Sequence, residues 1–81
     1  MEVYVLETKM WIAGNKQIVF ELFKSKERAK EILKERVNNY IMKLAHTNID
    51  ILVNTDTHFE CYDLYSGNSN RIYIYEKEVQ E

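Results

Sequence analysis

The sequence has no proline, two glycines and one cysteine, and each scarcity narrows what the chain can be. With glycine only at Gly14 and Gly67, and no repeat or low-complexity run, there is little material for a linker, so residues 1–81 are expected to form a single compact domain. A lone Cys61 excludes an internal disulfide, the staple of many small secreted domains, and leaves the hydrophobic core to hold the fold unaided. No stretch approaches the roughly eighteen consecutive apolar residues of a membrane span. Residues Met1 to Glu7 lack the basic start and sustained apolar run of a secretion signal, which predicts a cytoplasmic protein with no membrane partner. A large surplus of one charge is missing as well, the formal net charge being −2.

What is present suffices for a core. Hydrophobic residues make up 46% of the chain and charged residues 30%, the balance of a globular domain and not of a disordered one. Glu2 to about Ile12 alternates Val3 and Val5 with Tyr4 and Leu6 and reads as a strand. Ala13-Gly14-Asn15-Lys16 follows as a turn, since Gly and Asn take positive φ at low cost. Gln17 to Phe23 then sets Ile18, Phe20 and Leu22 on one side, a period-two pattern with one clearly apolar face, and completes an antiparallel hairpin.

Ser25 offers an N-cap oxygen and Glu27 suits the positive helix end, although Arg28 stands where a capping box wants Glu or Gln. From Lys26 to Ala45, the residues Ala29, Ile32, Leu33, Val37, Tyr40, Ile41 and Leu44 recur at three- and four-residue steps, the stripe of a long amphipathic helix. Lys26, Lys30 and Lys34 form a ridge bordering that stripe, with Glu27 to Lys30 and Glu31 to Lys34 as favourable pairs. Ile49 to Val53 is too short for its periodicity to separate a strand from an ordered connection. His58 to Tyr65 and Arg71 to Lys77 flank the turn-like Ser66-Gly67-Asn68-Ser69-Asn70 and predict a second hairpin. The expected class is α+β: an antiparallel sheet of ββαββ order with one long amphipathic helix packed on one face.

One helix is about 10 Å wide and covers roughly two strands on one face of a sheet. The strands here are apolar on both faces: Ile72 and Ile74 alternate with Tyr73 and Tyr75, and Val19 and Phe23 oppose Ile18, Phe20 and Leu22. If the aliphatic sets, Val3 and Val5 among them, pack under the helix, the tyrosines face away from it. Such a face is either a solvated surface finished by Tyr hydroxyls, or a contact surface for a homodimer or a partner.

Residues with chemical potential do not converge in the sequence. His58 and Cys61, with Asp56 and Asp63 nearby, resemble metal ligands, but in a strand His58 and Cys61 point to opposite faces, and a structural zinc site needs four convergent ligands. His46 falls at the predicted helix end, where an imidazolium suits the negative pole. Ser25 and Ser66 have no neighbouring base, Cys61 has no nearby cation, and the two glycines are isolated turn residues. The expectation is a protein without catalytic residues, metal or cofactor.

Two binding readings remain. Residues 1–48 carry nine Lys/Arg against six Asp/Glu and residues 49–81 carry two against seven, so the halves stand at +3 and −5. In the acidic half, Asp56, Glu60, Asp63, Glu76 and Glu78 are interleaved with Tyr62, Tyr65, Tyr73 and Tyr75. Aromatic anchors with a charged rim suit a protein interface, and acidic side chains on a rigid hairpin can stand where a nucleic-acid-binding protein expects phosphates; the bland alternative is an ordinary solvated hairpin. The other reading is a domain for single-stranded nucleic acid, with sheet tyrosines stacking on bases and Lys24, Lys26, Arg28, Lys30 and Lys34 meeting phosphates. A sequence pI near 5.7 weighs against it.

In this ββαββ order, the segment Phe20-Glu21-Leu22-Phe23-Lys24-Ser25-Lys26-Glu27-Arg28-Ala29 resembles the strand, Ser-Lys-Glu cap and helix start of small proteins of phages and low-GC bacteria. That loose group includes some anti-CRISPR and other anti-defence inhibitors. The resemblance implies binding to a host protein and blocking of its nucleic-acid or partner site, and it carries over no functional residue. The leading expectation is therefore a protein-binding inhibitor module that engages its target through a tyrosine-bearing sheet face and an acidic C-terminal hairpin.

Overall fold

The computed structural model describes residues 2–43, 49–64 and 67–79. Its elements are β1 (Glu2–Ile12), β2 (Asn15–Phe23), α1 (Lys26–Lys43), β3 (Ile49–Asn54), β4 (His58–Asp63) and β5 (Ser69–Glu78). The class is α+β, and Ile49 to Val53 belongs to a strand. The strands form one antiparallel sheet in the order β2-β1-β5-β4-β3, which leaves β2 and β3 as its edges. Leu44, Ala45 and His46, expected at the helix end, and Tyr65 and Ser66 lie outside the described residues.

Local chemistry explains the first half of the chain. Ile12 pairs with Asn15, so Ala13 and Gly14 alone make the hairpin loop, and both have positive φ, at 52° and 81°. That is the two-residue turn whose twist matches the flanking strands. Asn15, expected within the turn, is instead the first paired residue of β2. Ala13 occupies a position that costs an L side chain energy, and its N–H donates to Asn68 Oδ1 at 3.0 Å. At the start of α1 the Ser25 hydroxyl accepts from Arg28 N–H at 3.3 Å, as its N-cap position predicts. Of the charges expected to pair along the helix, Glu31 meets Arg28 at 3.1 Å and Lys30 reaches across to Asp56 at 3.2 Å.

The helix stripe packs as its spacing predicts, with Ala29, Leu33 and Val37 buried. Beneath it lie Leu6 of β1, Phe59 and Cys61 of β4 and Ile72 of β5, flanked by half-buried Phe23, Ile32, Tyr40, Ile41, Ile49 and Ile74. Tyr40 meets Phe59 edge to face, with ring centroids 6.3 Å apart. Arg36 of α1 grips Glu21 of β2 through two hydrogen bonds, and the bond to Arg36 holds the Glu21 carboxyl below its ordinary range.

Register decides what the helix does not cover. Residues paired across strands share a face. Leu6 lies opposite Glu21 and Ile74, and Thr8 opposite Val19 and Ile72, so these residues share the helix side with Phe59 and Cys61. Val5 lies opposite Leu22 and Tyr75, and Glu7 opposite Phe20 and Tyr73, on the other side. Tyr73 and Tyr75 thus face away from α1, but Val3, Val5, Ile18, Phe20 and Leu22 do not pack beneath it as the sequence pattern suggested. Each hairpin has an aliphatic face of its own, and the β1–β5 pairing sets those two faces on opposite sides of the sheet. One helix covers the C-terminal set together with Leu6; the N-terminal set is left open.

Candidate functional site

The helix-free face is organised in rows running across the strands. One row holds Leu22, Val5 and Tyr75. The next holds Phe20, Glu7, Tyr73 and His58, the third Ile18, Lys9, Arg71, Glu60 and Val53, and the fourth Lys16, Trp11, Ser69, Tyr62 and Asp50. Val3 and Val5 are buried among neighbours on this face although no helix among the described residues lies over it. Toward β2 the cover disappears: Ile18 is 42%, Phe20 57% and Leu22 67% exposed. Every residue from Trp11 to Phe20 is exposed, although β1 stays paired with β5 as far as Trp11, and the molecule is elongated, 46 × 23 × 17 Å.

Polar groups are threaded through this apolar surface. The Glu7 side chain is only 8% exposed; Lys9 Nζ stands 3.7 Å from Glu7 Oε2, which has no hydrogen-bond partner among the described residues. Lys9 also lies over the Tyr73 ring at 5.6 Å from its centroid, and Lys16 over the Trp11 ring at 5.3 Å. Arg71 Nε donates to Glu60 Oε1 at 2.5 Å, and His58 Nε2 lies 2.9 Å from the same oxygen. Tyr73 contacts both His58 and Tyr75, with centroids at 6.0 and 5.8 Å. Aromatic rings, aliphatic side chains and ion pairs therefore form one continuous surface across β2, β1, β5 and β4.

Few of the residues singled out from sequence share it. Glu60, Tyr62, Tyr73 and Tyr75 do, and Tyr65 lies outside the described residues. Asp63 pairs with Ile49 on the helix side of the sheet, and Asp56 sits in the β3–β4 turn against Lys30. Glu76 and Glu78 lie opposite Tyr4 and Glu2, also on the helix side. There burial, and then the carboxylates of Glu76, Glu2 and Glu27, push the Tyr4 phenol up. The acidic hairpin and the tyrosine face are thus two surfaces, not one, because alternation along β5 sends Tyr73 and Tyr75 one way and Glu76 and Glu78 the other. The same separation applies to the alternative: Lys26, Arg28, Lys30 and Lys34 belong to α1 and Lys24 to the segment entering it, while the tyrosines are behind the sheet. Among the described residues, the cations that do accompany the aromatics are Lys9, Lys16, Arg71 and Lys77, the last opposite Val3 and on the same side of β5 as Tyr75; the sequence reading passed over these, along with Glu7 and Trp11.

Cys61 is buried against the helix, and burial pushes its thiol up, away from the thiolate a nucleophile requires. It diverges from His58, which lies on the opposite face of β4. Between α1 and the β3–β4 turn runs a groove of about 530 Å³ whose apolar wall is Leu33, Val37 and Ile41, with the Lys30–Asp56 pair at its edge. No helix among the described residues is long and apolar enough to cross a membrane. No protein-family model, curated protein or solved structure matches this chain.

Proposed function

We propose that this chain is a non-enzymatic protein-binding module that docks its partner on the helix-free face of the sheet. The observation that carries this reading is the exposed apolar line of Ile18, Phe20 and Leu22 along β2, contiguous with buried Val5 and with Tyr75. An apolar strip of this kind, with aromatic rings at its centre and ion pairs around it, has the make-up of an interface core and rim. The segment Phe20 to Ala29, resembling that of small phage and low-GC bacterial proteins, favours an inhibitor that occludes a host protein. The acidic side chains of Asp63, Glu76 and Glu78 lie apart from this face and are not needed for docking.

The test is affinity capture from a nuclease-treated host lysate with paired variants. Leu22→Ser with Tyr75→Ser removes anchors from the docking face and is expected to abolish retention of the partner. Glu76→Lys with Glu78→Lys alters the opposite face and is expected to leave retention intact. The reverse pattern would overturn the reading.

Single-stranded nucleic acid is a second reading, favoured by the lysines lying over Tyr73 and Trp11. It places bases on the sheet rings and phosphates at Lys9, Lys16 and Arg71, not on α1. Binding that weakens steeply with salt and falls on Tyr73→Ala would support it; Glu7 and Glu60 on the same face oppose it.

A further inference from the structure

The two edges of the sheet are not alike. β3 carries a register shift between Ile51 and Val53, a bulge of the kind that blunts an edge against further pairing. β2 pairs with β1 through nine consecutive residues without a shift, and it contains no proline. In a two-residue hairpin the closing pair, here Ile12 and Asn15, exchanges both hydrogen bonds. Alternation from that pair turns the backbone N–H and C=O groups of Lys16, Ile18, Phe20 and Leu22 outward, away from β1. Among the described residues, Ile18, Phe20 and Leu22 therefore both lack a strand partner for their backbone groups and stand with their apolar side chains on the open face.

We infer that the occupant of this edge is a second copy of the chain, with the two β2 strands paired antiparallel about a two-fold axis at Phe20. This rests on the docking reading above and names the partner for its β2 side. In this register Phe20 opposes Phe20 of the partner subunit, and Ile18 and Leu22 oppose each other in both directions, so each of the three apolar side chains meets an apolar one. Moving the axis to Val19 sets Leu22 against Lys16, and moving it to Glu21 sets two carboxylates face to face. Lys16 and Lys24 fall opposite each other at the ends of the paired segment, where strands are free to diverge. The product is a ten-stranded sheet with both helices on one side and a single continuous face on the other. Ile18, Val19, Phe20 and Leu22 still expose roughly 350 Å² per chain, close to half of the ~800 Å² per partner of a standard interface, before backbone and flanking side chains are counted.

The test joins solution mass with cross-linking in the full chain carrying Cys61→Ala. Light scattering from micromolar to near-millimolar concentration is expected to show a monomer–dimer equilibrium, and Leu22→Lys is expected to shift its midpoint at least tenfold upward. Under mild oxidation Phe20→Cys is expected to form a covalent dimer, because the paired Cα atoms stand about 5.5 Å apart. Val19→Cys is expected to form little, because in this register its own copy is roughly 8 Å away. A chain that stays monomeric throughout overturns the inference while leaving capture of another protein on the same face intact. A dimer that ignores Leu22→Lys, or that Val19→Cys cross-links faster than Phe20→Cys, overturns it as well.

Discussion

Leu6 and Leu22 provide the sharpest test of which face the core occupies. They belong to neighbouring strands, Leu6 beneath α1 at 0% exposure and Leu22 on the helix-free side at 67%. Truncating a fully buried leucine to alanine costs about 2–5 kcal/mol. Full burial of such a side chain stabilises by about 1.5–3 kcal/mol, so one that hides only a third of its surface contributes about 0.5–1 kcal/mol. At 0.05–0.15 kcal/mol per residue the whole domain is stable by roughly 4–12 kcal/mol, and Leu6→Ala removes a large share of that. Urea unfolding followed by far-UV circular dichroism at low micromolar concentration measures both. With a slope near 1 kcal/mol/M, Leu6→Ala is expected to lower the midpoint by about 2 M or more and Leu22→Ala by no more than about 1 M. Leu6→Val and Leu22→Val repeat the comparison more gently should the alanine variant fail to fold. Equal shifts, or a larger one at Leu22, would refute the assignment of faces.

Three further outcomes follow from local geometry. Ala13→Asn places a residue that tolerates positive φ at the strained hairpin position and is expected to raise stability by about 0.5–1 kcal/mol, seen as a melting temperature several degrees higher. Burial, and then the neighbouring Cys61, pushes the Tyr40 phenol up to about 12, so the folded chain holds that proton more tightly than the unfolded one. The resulting stabilisation is complete below about pH 10 and is lost as pH rises through 12, and Tyr40→Phe is expected to remove that part of the alkaline decline in thermal melts. Arg36→Met releases Glu21, whose carboxyl is held low by that partner; because both groups are partly solvated, the loss is expected to stay within about 1 kcal/mol. Its contribution is present above the ordinary carboxylate range and disappears as pH falls through the lowered Glu21 value, which denaturation midpoints at acidic and neutral pH would reveal.

The elements were legible because their signals are local. Ser25 caps α1, the stripe of Ala29, Leu33 and Val37 is buried, and alternation marks the strands to within a few residues. The faces were only partly legible. Period-two alternation by itself separates Tyr73 and Tyr75 from Glu76 and Glu78, and Tyr62 from Asp63, so the division of the acidic residues from the tyrosines could have been read from their numbering. Hairpin parity is almost as accessible: an even-numbered loop keeps Val5 with Leu22, and an odd-numbered one would set it with Glu21 or Phe23. What no local pattern contains is the pairing of β1 with β5, two strands at opposite ends of the chain. That register puts Ile72 and Ile74 with Leu6 and strands the other hairpin's aliphatic row on the side the helix does not reach. The surplus of apolar surface was evident in the sequence, while its location depended on a long-range contact.

Oxidative surface labelling of side chains, read residue by residue in dilute monomer and again with the partner bound, tests most directly whether the open face is the docking face. In the monomer, Trp11, Phe20 and Leu22 are expected to label readily and Leu6 and Phe59 to be protected. On binding, Phe20 and Leu22 should become protected, while Met42, 74% exposed on α1, continues to label and serves as the internal control. Protection of Phe20 and Leu22 already in the monomer, or their undiminished labelling in the complex, would contradict the account.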